Sequence, residues 1–147
     1  MPELPGSILF ACTQNALRSV MAAGLVRFLH GNRIYVESCG VRPGVLDPFA
    51  VTVMDELGVD IARHRPKSFE ELEDGFFDVV VSLSPEAQHK AVELTRASAV
   101  DLEFWNTLDP SLVEGSREQR LEAYRAVRDT LLRRIRERFP PVGAPSL

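Results

Sequence analysis

The stretch ILFACTQNALRSVMAAGLVRFL, from Ile8 to Leu29, constrains this chain more than any other. With Ser7 it opens on a short apolar run, Ile8, Leu9, Phe10 and Ala11, the mark of a buried strand. Val20, Met21, Leu25, Phe28 and Leu29 then follow at helical spacing and predict a helix from about Arg18 to Leu29. Gly31-Asn32 is a natural left-handed stop for it. Between strand and helix lies Cys12-Thr13-Gln14-Asn15-Ala16-Leu17-Arg18-Ser19, with a thiol at the strand end and an arginine six positions on.

A loop placed there can curl its N–H groups into a nest at the positive end of the next helix. Such a nest, spanning Thr13 to Leu17 here, binds a tetrahedral oxyanion and lowers the pKa of a thiol beneath it. Arg18 can close the ring with a planar two-pronged contact that lysine cannot copy. On this reading Cys12 is a nucleophile; on the other it is an inert buried cysteine at a strand end. Ser19 likewise has two readings, as a donor to the Cys12 sulfur or as a cap on a backbone amide. Asn15 tolerates the left-handed backbone that tight anion loops need, and Ser38 is a candidate partner for its amide.

The remaining chain alternates strands and helices. Ile34 to Cys39 is expected as strand two, and Asp47-Pro48 opens a helix through Leu57 to Gly58. Ser68 and Glu71 form the capping box of a short helix. Phe76 to Leu83 reads as strand three, Pro85 to Leu94 as a helix and Ala99 to Trp105 as strand four. Ser116 and Gln119 cap a last helix carrying Leu121, Tyr124, Val127, Leu131, Ile135 and Phe139. Eight arginines and four acids lie between Ser116 and Phe139, most of the arginines on its other face, which reads as a solvated, salt-linked surface. Four strands alternating with helices imply a doubly wound parallel sheet covered on both faces, with Cys12 at its carboxyl edge. One domain over residues 1–147 is expected, with its core at about 7–139, a short lead-in from Pro2 to Gly6 and a loose tail at 140–147.

Asp109-Pro110, after strand four, falls on the same edge as Cys12. Its carboxyl suits a general acid for a leaving oxygen and then a general base for water. Other chemistries lack their patterns. His30, His64 and His89 show no metal-ligand spacing, and glycine-rich phosphate and dinucleotide motifs are absent, so no cofactor is expected. His64 reads as a structural residue of its loop. A net charge of −4 gives no basic footprint for nucleic acid, and no apolar stretch approaches membrane length. Two cysteines and no visible leader suggest a reducing, cytoplasmic setting.

These residues resemble the low-molecular-weight protein tyrosine phosphatases and their thioredoxin-linked arsenate reductase relatives. The resemblance rests on Cys12 to Ser19, Ser38-Cys39-Gly40, Glu56-Leu57-Gly58-Val59-Asp60 with His64-Arg65, Asp78 and Asp109-Pro110, in the family order. It implies a four-stranded sheet of order 2-1-3-4 and metal-free dephosphorylation of protein phosphotyrosine or of small aryl phosphates. It implies Cys12 as nucleophile, Arg18 as oxyanion clamp, Asn15 and Ser19 as loop supports and Asp109 as acid. The departures are Gln14 for a usual glycine, Leu17 for a second loop cysteine, and Ser111 and Leu112 for the aromatics that follow Asp-Pro. Glutamine at a position needing positive φ would cost about 1 kcal/mol. Trp105 and Phe49 are the candidates to supply ring contacts instead. Two alternatives remain: an arsenate reductase served by an external thiol donor, because Ser82 to Thr95 holds no resolving cysteine, and an oxyanion-binding regulator with little turnover.

Overall fold

Apolar residues on alternate positions of the first strand fill two separate cores, and the fold follows from that division. In a computed structural model, which describes residues 4–73, 75–96 and 99–141, four parallel strands form one sheet. They are β1 (Ser7–Cys12), β2 (Tyr35–Gly40), β3 (Val79–Ser82) and β4 (Asp101–Phe104), in the order β2-β1-β3-β4. Four α-helices, α1 (Arg18–His30), α2 (Pro48–Asp55), α3 (Pro85–Thr95) and α4 (Arg117–Arg138), are the crossovers and the closing element. Residues 2 and 3 of the expected lead-in and 142–147 of the expected tail lie outside the described residues.

Ile8, Phe10 and Cys12 face the larger core, beneath α1, α2 and α4. Leu9 and Ala11 face the smaller one, with Cys39, Phe69, Phe77 and α3. The α4 stripe is buried as its spacing demanded: Leu131, Ile135 and Phe139 are fully enclosed. Each such side chain contributes about 1.5–3 kcal/mol. Its arginine face is salt-linked: Arg125 meets Glu56, Glu118 and Glu122, and Arg128 meets Glu56 and Asp129. The Ser116–Gln119 box that starts this helix is closed from both sides.

One expected element is absent. Ser68 and Glu71 make both bonds of a capping box, yet only turns follow. The chain there pairs with the end of β2 instead: Gly40 N–H donates to Lys67 O and Phe69 N–H to Gly40 O. Extended pairing at residues 67–69 takes the backbone groups that a helix would have used. The strands β3 and β4 are also shorter than expected, at four residues each.

Candidate active site

Carbonyl direction shapes the loop after β1. The carbonyls of Cys12, Thr13, Gln14 and Ala16 accept hydrogen bonds from Val41, Arg42, Gly44 and Asp47, at 2.8–3.2 Å. In a planar trans peptide the following N–H points the opposite way. With the carbonyls drawn toward residues 41–47, the N–H groups of Thr13, Gln14, Asn15 and Leu17 turn the other way, and Thr13, Gln14 and Leu17 line the cavity over Cys12. The loop packs so tightly on β2 that a Cβ at Gly40 would lie 2.7 Å from Asn15 N and 2.8 Å from Gln14 C. Only glycine fits there.

Asn15 is the internal brace. Its φ is +53°, and it is the one non-glycine residue with positive φ among the described residues. Its amide is saturated: Nδ2 donates to Ser19 Oγ at 2.8 Å and to Ser38 Oγ at 2.9 Å. Its Oδ1 accepts from Lys67 N–H at 3.0 Å and from His64 Nε2 at 2.9 Å. Because Oδ1 only accepts, His64 carries its proton on Nε2. Asn15→Ala removes all four contacts and leaves alanine in a left-handed backbone. It is expected to destabilise the protein by about 2–4 kcal/mol, read as a lowered urea midpoint.

Ser19 passes this polarity to the thiol. Its oxygen already accepts from Asn15, so its own proton is available to Cys12 Sγ at 2.9 Å, with Cys39 O a longer 3.4 Å alternative. No side-chain cap is made at the start of α1, so the capping role for Ser19 falls away. Cys12 itself is 2% exposed, on the floor of a cavity of about 590 Å³.

Arg18 and Asp109 line the same cavity. Arg18 Nη1 donates to Thr107 O at 2.9 Å, and its Nη2 lies 4.0 Å from Asp109 Oδ2. The other carboxyl oxygen of Asp109 is held by Ser111, through N–H at 3.0 Å and Oγ at 2.7 Å. Ser111 therefore orients the carboxylate and leaves Oδ2 turned to the arginine. Thr13 Oγ1 reaches Ser84 Oγ at 3.0 Å, tying the loop to the start of α3.

Several expectations change here. Gln14 does not have positive φ, so it is not strained; its side chain lies against Gly44 at the cavity wall. Trp105 is buried between Phe10 and Phe139, and Phe49 packs edge-on against Tyr124 beneath Arg120. Neither ring lines the cavity. Its lining includes aliphatic Val45 and Leu112, 87% and 76% exposed, and Glu86. Leu17 is buried in the large core. Cys39 faces the small core and Cys12 the large one, so the sheet separates the two thiols. Burial pushes the Cys39 thiol far up, with the Cys12 charge adding to it.

His64, expected as a structural residue of its loop, is a buttress of Asn15. Burial, then the charges of Lys67 and Arg27, lower its pKa from 6.5 to about 4. A depressed pKa means that the unfolded chain takes up a proton before the folded one does. The neutral ring's contribution is thus complete above pH 6.5 and is lost as pH falls toward 4. Stability is expected to decline across that window, and His64→Gln to flatten the decline, as measured by denaturation at stepped pH.

A model of the family described as low molecular weight phosphotyrosine protein phosphatase matches residues 7–142. A glutaredoxin arsenate reductase of Synechocystis is 30% identical over 128 residues, 87% of this chain and 92% of that protein. An arsenate reductase of Shouchella clausii is 35% identical over 130 residues, 88% of this chain and 92% of its own. A low-molecular-weight protein tyrosine phosphatase structure from T. tengcongensis superposes with a TM-score of 0.70 at 26% identity, covering 86% of this chain and 92% of that one. No helix among the described residues is long and apolar enough to cross a membrane.

Proposed function

From the premise that this chain belongs to the low-molecular-weight phosphotyrosine protein phosphatase family, we propose that it hydrolyses phosphate monoesters through a cysteinyl phosphate on Cys12. The observation that carries this reading is the Asp109 carboxyl, held by Ser111 in the cavity that has Cys12 as its floor.

In the first step the Cys12 thiolate attacks phosphorus. The Sγ–P bond forms, the P–O bond to the alcohol breaks, and Asp109 delivers a proton to the departing oxygen. The N–H groups of the loop and the Arg18 guanidinium hold the three remaining oxygens, whose charge is largest in the transition state. Ser19 stabilises the sulfur's negative charge both before attack and on departure. In the second step Asp109, now ionised, takes a proton from water. That water attacks phosphorus, the Sγ–P bond breaks, and inorganic phosphate leaves. The aliphatic lining, without a stacking ring, supports small phosphate monoesters at least as well as phosphotyrosine.

Thiol-dependent arsenate reduction is the second reading, favoured by the names of the relatives. Cys12 would displace water from arsenate, an external thiol would attack Sγ to release arsenite, and a second thiol would reduce the resulting mixed disulfide. The second thiol must be external, because Cys39 lies across the sheet and Ser82 to Thr95 contains no cysteine.

Wild-type protein assayed between pH 5 and 7.5 separates the two. Release of p-nitrophenol from p-nitrophenyl phosphate is the expected result. No release, together with arsenate-dependent consumption of a small thiol, would transfer the function to the second reading.

A further inference from the structure

On the far side of the Asn15 brace lies a second cavity of about 420 Å³, lined by Arg27, Asp60, Arg63, His64, Arg65 and Lys67 over a floor of Val20 and Ile61. Four permanent cations thus meet one carboxylate, in a protein whose net charge is −4. The carboxylate is partly engaged already, since Asp60 Oδ1 accepts from Ala62 N–H at 2.9 Å. Lys67 pairs with Glu37 at 2.8 Å, and Arg27 donates to Val36 O at 2.9 Å. Arg63 and Arg65 are exposed, and among the described residues neither has a hydrogen bond or an ion pair. Pro66 holds Arg65 away from helical backbone, and both arginines lie on the irregular segment that lines the cavity.

Like charges gathered this way repel one another, and an anion between them relieves that repulsion. Guanidinium groups match phosphoryl oxygens in planar, two-pronged pairs. The cavity is much larger than one phosphate, and it offers two unpaired arginines flanked by two further cations. We propose that this cavity is a second anion site, separate from the Cys12 loop, for a small polyanion of the pyrophosphate class. His64 belongs to the cavity wall and also touches Asn15, so its ring reports on occupancy.

The proposal concerns binding alone and does not depend on turnover at Cys12. Inorganic pyrophosphate is titrated by calorimetry into four full-length proteins at constant ionic strength: wild type, Arg18→Ala, the pair Arg63→Glu with Arg65→Glu, and the pair Arg133→Glu with Arg136→Glu. The last pair lies on the exposed face of α4 and changes net charge by the same amount. Wild type is expected to show a binding phase that survives Arg18→Ala and the α4 pair. The Arg63/Arg65 pair should weaken that phase at least about tenfold. In parallel, pyrophosphate should shift the His64 ring resonances of wild type but not those of the Arg63/Arg65 pair. Equal binding by the two charge-matched pairs would overturn the proposal, as would a single phase lost in Arg18→Ala. Should Arg18→Ala fail to fold, the comparison of the two pairs and the His64 resonances decide the matter.

Discussion

Cys12→Ser is expected to reduce phosphate-monoester hydrolysis by at least about four orders of magnitude while the protein stays folded and still binds phosphate. Sulfur is a far better nucleophile toward phosphorus than a serine hydroxyl in the same place. The surroundings that favour the thiolate are the Ser19 hydroxyl at 2.9 Å and the N–H groups of the loop. All of them survive the exchange, and the volume change at this 2%-exposed position is small. The variant should therefore match wild type in urea midpoint and in phosphate affinity by calorimetry. An unaltered rate would remove Cys12 from the chemistry. Loss of rate together with loss of phosphate binding would point to a collapsed loop and not to a missing nucleophile.

Arg18→Lys is the second large effect, an expected fall of about 10²–10³ in kcat/KM. Arg18 uses one nitrogen to hold Thr107 O and faces Asp109 with another, so its plane is set before substrate arrives. Lysine keeps the charge but offers neither the fork nor the second anchor. Because the contact is strongest on the transferring phosphoryl group, kcat should fall more than KM rises. A change confined to KM would assign Arg18 to ground-state binding only.

Much of this site was readable from residue types and spacing. A cysteine at a strand end, an asparagine able to take positive φ, and an arginine and serine opening a helix all dictate local geometry. The Asn15–Ser38 pair and the Ser19–Cys12 contact follow from that geometry once β1 and β2 are adjacent. What was not readable depends on register and distance. His64 reaches Asn15 across 49 positions, and no local pattern encodes that approach. Gly40 is needed because of backbone atoms that belong to another segment. Cys39 faces away from Cys12 because Ala11, not Cys12, is its register partner on β1. The Ser68–Glu71 box formed its two side-chain bonds without a helix, since pairing with Gly40 overrode a correct local signal. Trp105 does not supply the ring contact expected of it, because its place in the core depends on packing against Phe10 and Phe139.

The central claim is a covalent phosphoryl group on Cys12 that Asp109 helps water to remove. The direct measurement is rapid mixing of Asp109→Ala with p-nitrophenyl phosphate, acid quenching, and mass analysis of the intact protein and its peptides. Nitrophenolate departs without a proton from the protein, so the first step proceeds while the second, lacking its base, slows. The predicted result is a stoichiometric burst of p-nitrophenol, with one phosphoryl group mapped to the peptide containing Cys12. Turnover with no phosphorylated protein, or with the group on another residue, would contradict it.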